Sequence, residues 1–462
     1  MKKLVNKIVQ YSPTFIKSIG INAYGYYWEK RRFGGDFQIE LEASKKRELY
    51  SLSEWKLYQT AQLRRLLIHA FQTVIFYQEK YKEAGFSLKD FENFELDQIS
   101  RLPILEKDDL RRFGTSNLLS TKRERGIFLN SSGSTGTPVK IYFSKRFHQQ
   151  WSALYEARVR NWAGVNYKQS RGMIGGRRIV PLANTKHPFY LRNRAENQTY
   201  FSAYHIGPKT INNYLEGMLK YPIDYLVGYA TSIYILADLF DQYKLYPPPL
   251  KAVLTSSEKL TSNMRVCIEK VFQCKVFDAY SGVEACGLIS ENNQGELLFS
   301  PDSGIMEVIK NDGTPAQIGE IGEVIATGLL NFDQPLIRYR IGDEVIFSAS
   351  QISKSEMNFP IIQEIEGRIE DVIIGADGRK MVRFHSLFTD IPYLQMAQIE
   401  QFSRTEFVIN LKVEQGFSSA QETIIKERLE SQLGKSSLKF NFVDEIQRNE
   451  NGKFKAVISN IK

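Results

Sequence analysis

The amino-acid sequence predicts an α/β protein with a large N-terminal domain of mixed and parallel sheets flanked by helices, followed by a small C-terminal α+β domain. Three observations predict this fold class. Strand-like and helix-like segments alternate over 223–284, strand-like segments dominate 303–347, and the pattern changes again after Gly367. We therefore expect domains at 1–366 and 367–462, the first long enough to bury a large core.

The alternating stretch predicts parallel strands joined by helices. In chain order we expect a strand at 223–227, a helix at 230–243, a strand at 251–255, a helix at 261–272 and a strand at 275–279. Crossovers of this kind make the strands parallel, and ligands of such sheets bind beyond the carboxyl ends of the strands. Those ends, at 228–230, 256–258 and 280–284, are expected around one crevice.

The flanking segments are assigned on similar grounds. Apolar residues at three- and four-residue spacings predict helices over 53–111. Asn-Asp-Gly at 311–313 and Asp-Gly at 377–378 predict hairpin turns. In the small domain we expect strand-like chain at 396–413, an amphipathic helix at 419–433 and a last strand at 437–443.

The N-terminal segment, 1–50, is basic and aromatic, and its first 33 residues interleave lysine and arginine with isoleucine, phenylalanine and tyrosine. Such a segment can lie as a helix on an anionic membrane, which would make a peripheral membrane contact. It can also pack on its own domain with its charges in solvent. We favour the second interpretation.

Composition excludes several classes of protein. The 462 residues are 42% hydrophobic and 24% charged, as in an ordinary globular protein, and the net charge of +9 suits an anionic partner without identifying it. No run approaches the ~18 apolar residues that span a bilayer. The cysteines, Cys267, Cys274 and Cys286, include no Cys-x-x-Cys pair. They argue against a disulfide framework or a structural zinc site and favour the reducing cytoplasm.

The most informative segment is Ser-Ser-Gly-Ser-Thr-Gly-Thr-Pro at 131–138, between strand-like residues at 126–129 and 139–143. Glycine lets a backbone bend and aim its N–H groups at an anion, and the hydroxyl groups add donors. This composition suits a loop that closes over a polyphosphate. The common phosphate loop is excluded because no Gly-Lys-Ser/Thr follows at the required spacing. Taken alone, the segment is more typical of a Ser/Gly-rich surface hairpin.

Further segments follow this loop in a recognisable order, at 280–284, 322–324, 338–343, 367–371 and 451–453. The series resembles the motifs of adenylate-forming enzymes, the superfamily of acyl-CoA synthetases, luciferases and peptide-synthetase adenylation domains. The resemblance covers roughly 100–455. Residues 338–343 and 221–230 are most similar to the phenylacetate–CoA ligase-like branch. Residues 31–34 and 62–64 resemble members found in capsular and other surface-polysaccharide gene clusters.

The resemblance implies an ATP- and Mg²⁺-dependent ligase. Such an enzyme joins a carboxylic acid to the α-phosphorus of ATP, releases pyrophosphate, and passes the acyl group of the acyl-adenylate to a second nucleophile. Coenzyme A is the default acceptor. The alternatives are transfer to the amine of an amino sugar or amino acid, or a nucleotide-binding pseudoenzyme. A nucleic-acid or membrane-surface binder is a further class, but we expect small-molecule partners and no nucleic acid.

The resemblance also implies roles for particular residues. Glu284 would bind Mg²⁺, Asp343 the ribose hydroxyls, and Lys453 the reacting carboxylate, while Arg368 would support the nucleotide and Glu370 would be the hinge between the domains. The β- and γ-phosphates would be held by Ser131, Ser132, Gly133, Ser134, Thr135 and Gly136. Other nucleotide contacts would come from Ser256, Glu258, Asp278, Ala279, Tyr280 and Ser281. His205 would be a catalytic gate beside an acyl pocket that includes Tyr204, Gly228, Tyr229 and Gly282.

Two departures from the family pattern have consequences. Val283 stands where the family has a threonine whose hydroxyl contacts phosphate or carboxylate, and a valine cannot donate. The loss of one such contact costs about 1–3 kcal/mol, which is compatible with a slower enzyme. Some relatives carry a Cys/His zinc cluster after this motif. Only Cys286 occurs within 285–303, with no histidine, so we expect no zinc.

Overall fold

A computed structural model of the chain describes most of both predicted domains. The described residues are 14–131, 139–177, 179–180, 188–310, 312–350, 353–355, 357–366, 373–376, 378–381, 385–388, 391–444, 446 and 457–461. The helices are α1 (Thr14–Phe33), α2 (Phe37–Arg47), α3 (Leu52–Thr73), α4 (Ile75–Glu83), α5 (Leu88–Glu92), α6 (Lys107–Phe113), α7 (Lys145–Tyr155), α8 (Ile211–Lys220), α9 (Ala230–Gln242), α10 (Ser262–Phe272), α11 (His385–Phe388) and α12 (Ser419–Leu433).

Twelve strands of the described chain form one mixed sheet. Its strands, in chain order, are β3 (Arg171–Gly175), β4 (Tyr190–Asn193), β5 (Gln198–Ser202), β6 (Tyr225–Tyr229), β7 (Ala252–Ser256), β8 (Val276–Tyr280), β9 (Ile289–Glu291), β10 (Leu297–Phe299), β11 (Gly304–Ile309), β12 (Ile321–Gly328), β13 (Tyr339–Phe347) and β14 (Ile361–Glu366). Their spatial order is β11-β12-β13-β14-β10-β9-β8-β7-β6-β3-β5-β4. Strands β1 (Gly126–Asn130) and β2 (Lys140–Ser144) form a separate antiparallel pair.

The parallel part of the large sheet has the predicted strand–helix alternation. Strands β5, β3, β6, β7 and β8 are neighbours and parallel, with α9 and α10 as crossovers. The strands are rich in buried apolar residues, as expected when both faces of a parallel sheet are covered. Because β6 pairs Tyr229 with Ser256 and β7 pairs Ser256 with Ala279, the predicted strand ends lie side by side.

The antiparallel part contains the predicted hairpin between β11 and β12. Asn311 lies outside the described residues, but the turn around it is closed by the Lys310 backbone N–H, which donates to the Thr314 carbonyl over 2.8 Å. Gly313 has a φ of 82°, a left-handed conformation that glycine adopts without strain. The predicted fold class, a large α/β domain with mixed sheet and flanking helices, is confirmed.

Helix α1 packs on the large domain, which is the interpretation favoured from the sequence. The expectation that its charges lie in solvent is wrong for two arginines. Arg31 is 8% exposed and donates to the Phe143 carbonyl over 2.6 Å. Arg32 forms an ion pair with the buried Glu196. Membrane association through this segment stays a prediction. No helix of the described chain combines the length and apolarity needed to cross a bilayer.

The C-terminal residues form a second, four-stranded sheet. Its strands are β17 (Leu394–Gln401), β18 (Glu406–Val413), β19 (Ser437–Phe442) and β20 (Val457–Ser459), and their order is β19-β18-β17-β20. Helix α12 covers the sheet with buried Ile425, Leu429 and Leu433. The single strand-like stretch predicted at 396–413 is two antiparallel strands, because the Phe402 N–H turns back to the Glu406 carbonyl.

A short hairpin precedes this sheet. Strands β15 (Ile373–Ile374) and β16 (Lys380–Met381) flank the turn predicted at 377–378, and Gly378 has a φ of 78°. Residues 367–372 lie outside the described residues. The domain boundary between 366 and 367 therefore stays a prediction.

Candidate functional site

The carboxyl ends of β6 and β7 form one side of the candidate site. Gly228 lies so close to β3 that a Cβ there would sit 2.1 Å from the carbonyl oxygen of Ile174, so this pairing requires glycine. The next residue, Tyr229, accepts a hydrogen bond at its hydroxyl from the Gly176 N–H over 2.8 Å. Tyr204 donates to the carbonyl of the same glycine over 3.0 Å. These contacts hold the end of β3 against the predicted acyl pocket.

The segment after β7 makes a tight turn at the same edge. Ser257 has a φ of 70°, an uncommon conformation for a residue with a side chain. The turn brings Glu258 to the start of α9, where its Oε2 accepts from the Thr231 N–H over 3.0 Å. A carboxylate at a helix N-terminus is favourable because it meets the positive end of the helix dipole. The sequence predicted a nucleotide contact for Glu258, and this helix-capping contact was missed.

Where the loop after β8 begins, two residues that the sequence predicts to bind nucleotide contact each other. The hydroxyl of Tyr280 donates to Oδ2 of Asp343 over 2.7 Å, which ties the loop to β13. Burial and the neighbouring Asp343 carboxylate raise the pKa of Tyr280 well above its usual value, so the phenol stays protonated. A second lone pair on Oδ2 and both on Oδ1 leave Asp343 able to accept from another donor.

Glu284 lies in the same loop, four residues after the end of β8. A Cβ on Gly282 would lie 2.4 Å from Oε2 of Glu284, so the carboxylate of Glu284 folds back towards Gly282. Val283 packs against the hydrophobic core of the domain instead of facing a polar partner. Magnesium is commonly held by one or two carboxylates together with substrate phosphates, and a single carboxylate at this edge fits that mode. Within the described residues, no three His, Cys, Asp or Glu side chains are grouped to hold a metal.

Asp278, also predicted to contact nucleotide, belongs to a polar cluster inside β8. Its Oδ1 accepts from the Thr255 hydroxyl over 2.7 Å, and its backbone N–H donates to Glu291 over 2.9 Å. Burial, with a smaller contribution from the Glu291 charge, raises the pKa of Asp278 to about 6. Ala279, the next residue, is 3% exposed in the sheet, and Ser281 follows at the exposed rim.

This raised pKa predicts a pH-dependent stability. The folded protein holds the Asp278 proton more tightly than the unfolded chain, so ionisation of Asp278 opposes folding. Relative to Asp278→Asn, which keeps an acceptor for Thr255, the free energy of unfolding should fall by about 2 kcal/mol as the pH rises from about 4 to about 6. Urea unfolding at several pH values would measure it. Parallel pH profiles of the two proteins would contradict it.

His205 lies in the packed interior beside the site. It is 3% exposed, its ring stacks on Phe189 with centroids 4.8 Å apart, and its Nδ1 is 2.7 Å from the Ser202 hydroxyl. The predicted gate residue is therefore a buried, hydrogen-bonded histidine in this structure. Its catalytic role stays a prediction.

Several predicted site residues lie outside the described residues: Ser132, Gly133, Ser134, Thr135, Gly136, Arg368, Glu370 and Lys453. Ser131 is described. Its backbone N–H donates to the Val139 carbonyl over 2.9 Å, and its hydroxyl accepts from the Val139 N–H over 3.0 Å. The two ends of the predicted phosphate-binding loop are thus held together. The roles assigned to its other residues stay predictions.

A cavity of about 360 Å³ opens at this edge of the sheet. Three of its lining residues, Gly228, Tyr229 and Ser256, belong to the predicted site. The residues that line the rest of the cavity were not predicted as site residues; they include Tyr24, Trp28, Arg32, His148, Glu196 and Gln198. The only sequence signal that points to them is the Arg-Arg-Phe-Gly segment at 31–34, at the end of α1.

Known proteins resemble this chain along its whole length. The family model described as the CapK C-terminal domain matches residues 373–460. Protein CapK of Staphylococcus aureus is 27% identical over 470 residues, covering 99% of this chain and 100% of its own. A phenylacetate–coenzyme A ligase of Escherichia coli is 23% identical and covers 71% of this chain and 74% of its own.

The fold is shared with a solved ligase. The structure of 2-hydroxyisobutyryl-CoA ligase with its acyl-AMP and CoA, in the thioesterification state, superposes with a TM-score of 0.59 at 19% identity and covers 90% of this chain and 91% of its own. The same ligase in its postadenylation state gives a TM-score of 0.57. The chain is thus homologous to CapK and to phenylacetate–coenzyme A ligases, and it shares its fold with a solved CoA ligase.

Proposed function

We propose that this protein activates a carboxylic acid as an acyl-adenylate at the expense of ATP and transfers the acyl group to coenzyme A. The observation that carries the proposal is the position of the cavity. It opens at the strand ends where the motif series predicts nucleotide, and it shares Gly228, Tyr229 and Ser256 with that predicted site. An acid in the cavity would therefore have its carboxylate next to the nucleotide.

The proposed reaction has two displacements. In the first, an oxygen of the acid attacks the α-phosphorus of ATP, and the bond from that phosphorus to the pyrophosphate leaving group breaks. In the second, the coenzyme A thiolate attacks the acyl carbon, and AMP leaves with the electron pair of the broken C–O bond. Both steps bring anions together, so catalysis depends on positioning and on neutralising charge.

The proposed roles follow the resemblance and the local contacts. Asp343, oriented by the Tyr280 hydroxyl, would accept the ribose hydroxyl groups. Glu284 would hold Mg²⁺, whose charge supports the negative charge that develops on the phosphates. The loop at 131–136 and Arg368 would bind phosphate and ribose, and Lys453 would approach the reacting carboxylate. Rotation at Glu370 would remove Lys453 before thioester formation.

One observation favours a second candidate. Val283 replaces a hydroxyl donor and packs into the core, so the site lacks one polar contact to the acid or the α-phosphate. A nucleotide-binding pseudoenzyme is the function that follows if this loss is decisive.

Full-length homology to CapK supports the further proposal that the product serves surface-polysaccharide synthesis in the cytoplasm, where an amine acceptor would replace coenzyme A.

The test of the proposed function is acid-dependent chemistry. The purified protein would be incubated with ATP, Mg²⁺ and a panel of carboxylic acids, and the acyl-adenylate would be detected by mass together with released pyrophosphate. Subsequent addition of coenzyme A or of amino sugars identifies the acceptor. ATP binding without adenylate formation from any acid would support the pseudoenzyme instead.

Removal of the Asp343 carboxylate gives a binding test of the same site. Asp343→Ala should weaken ATP binding at least about tenfold, because a hydrogen bond to a charged acceptor contributes about 1.5–3 kcal/mol. Isothermal titration calorimetry measures the dissociation constant. Tyr280→Phe is the matched control, because it removes the 2.7 Å hydrogen bond to Asp343 but keeps the carboxylate and should have a smaller effect. Unchanged affinity in Asp343→Ala would place the ribose elsewhere.

A further inference from the structure

The cavity reaches from the carboxyl edge of the sheet deep under α1. The strand register puts Tyr200 and Val227 on either side of Met173, two residues below the mouth of the cavity. Gln198 lies a further two residues down its strand. At about 3.3 Å per residue, the four residues between the level of the mouth and Gln198 correspond to about 13 Å of depth. The floor of the cavity therefore lies well beyond the place where an acid would react.

The acceptors at the floor of the cavity are already engaged. Both oxygens of Glu196 accept, Oε1 from Arg32 and Oε2 from Asn193 over 2.6 Å. The carbonyl oxygen of Gln198 accepts from the Arg171 guanidinium over 2.5 Å. A ligand group at this depth meets few unsatisfied acceptors.

Donors, by contrast, remain. With its carbonyl bound to Arg171, Gln198 keeps its amide NH₂ group. The Nδ1 of His148 accepts from Arg31 over 3.2 Å, so the neutral ring carries its proton on Nε2. Burial and the neighbouring arginines lower the pKa of His148 to about 3, which keeps the ring neutral.

The charge of the cavity also favours an anionic group of a ligand. Two of its lining side chains, Arg32 and Arg177, are cationic, and one, Glu196, is anionic. Burial lowers the pKa of Arg32 to about 10, which leaves it protonated at neutral pH. Arg171 adds a further positive charge 3.6 Å from Glu196. The floor of the cavity thus has a net positive charge and a surplus of donors.

The walls of the cavity are aromatic. Tyr24, Trp28 and Tyr200 line them, and the Arg177 guanidinium lies 4.3 Å from the centroid of Tyr24 and 5.1 Å from that of Tyr200. Flat apolar side chains favour an aromatic ring or a short methylene chain between the two polar ends of a ligand.

We infer that the acid activated by this protein carries a second carboxylate, or a comparable oxyanion, which binds Arg32 and Gln198 at the floor of the cavity. The inference rests on the proposed function for the carboxylate that reacts, and it adds the chemical class of the substrate. A monocarboxylic acid would leave the donors and the positive charge at the floor without a ligand, at a cost in binding.

Matched pairs of acids test the inference. Adipate and hexanoate have the same carbon chain and differ only in the second carboxylate, as do para-carboxyphenylacetate and phenylacetate. We expect kcat/KM for pyrophosphate release to be at least about tenfold higher for the diacid of at least one pair, because only the diacid makes charge-assisted hydrogen bonds at the floor of the cavity. ε-Aminohexanoate, with a cationic end, should be the poorest substrate of its chain length.

A charge change at the floor links the preference to the cavity. Gln198→Glu keeps an acceptor for Arg171 but adds a negative charge, so the ratio of adipate to hexanoate turnover should fall at least about tenfold. Gln72→Glu makes the same substitution on the exposed surface of α3 and should leave that ratio unchanged. Calorimetric binding of both diacids without ATP, to the unsubstituted protein and to Gln198→Glu, provides a readout that does not depend on turnover.

The outcomes separate this inference from the proposed function. Pyrophosphate release that is as fast with the monoacids overturns the inference and leaves the proposed function intact. Diacid binding that Gln198→Glu abolishes, without adenylate formation from any acid, supports the inference about the cavity and overturns the proposed adenylation. A diacid preference that survives Gln198→Glu overturns the assignment of the floor.

Discussion

Replacing Lys453 with alanine is expected to slow acyl-adenylate formation by about 10²–10³-fold, the usual effect of removing one group that stabilises transition-state charge. The prediction rests on the resemblance of 451–453 to the family motif. In the first displacement, a carboxylate and a triphosphate must approach each other, and the ammonium group offsets their repulsion. Thioester formation from supplied acyl-adenylate involves no pyrophosphate leaving group, so it should change far less.

Two separate assays measure this difference. Acid-dependent pyrophosphate release reports adenylation, and the reaction of synthetic acyl-adenylate with coenzyme A reports the second displacement. Lys455→Ala is the matched control, because it removes the same charge two positions away and outside the motif. Equal losses in the two assays would take Lys453 out of its proposed role.

Replacing Arg158 with methionine is expected to destabilise the large domain by about 3–5 kcal/mol, the cost of breaking a buried ion pair from one side. Arg158 is 0% exposed. Its guanidinium donates to Glu48 over 2.5 Å and to Asp302 over 3.1 Å. Without the arginine, two largely buried carboxylates lose a cation, although Arg47 still pairs with Asp302 over 2.9 Å.

The Arg158 side chain also connects distant parts of the domain. It bonds the Ser44 carbonyl at the end of α2 over 2.9 Å and lies 5.1 Å from the centroid of the Phe359 ring. Urea unfolding followed by tryptophan fluorescence would measure the loss. Arg146→Met is the control, since Arg146 and Asp36 form an exposed pair at 3.9 Å that should contribute at most about 1 kcal/mol. Similar losses in the two variants would contradict the prediction.

Local pattern predicted much of the fold. The strands and helices of 223–284 follow from short apolar runs that alternate with helical periodicity, and the structure has them at nearly the predicted bounds. That β6, β7 and β8 are parallel follows from the helices that join them, but the order of the twelve strands in the sheet was not predicted. The missed turn at 402–405 separates β17 from β18 without glycine or proline, so no residue there signals a break.

The candidate site was predictable only in part. The ends of β6, β7 and β8 are adjacent because parallel strands end at one edge, so Tyr229, Ser256 and Ala279 could be grouped from the sequence. The contact of Glu258 with α9 depends on the turn at Ser257, whose left-handed conformation the residue type does not indicate.

By itself, then, the sequence determined the fold class, the motif series and the strand ends that meet at the site, because each depends on residues close together in the chain. Only the tertiary structure decided that Arg32 pairs with Glu196, that α1 covers a cavity, and that the floor of this cavity offers donors. Arg32 and Glu196 are separated by 164 positions in the chain. No local spacing encodes such a contact, because it arises from the packing of helix α1 against strand β4, which lies much later in the sequence.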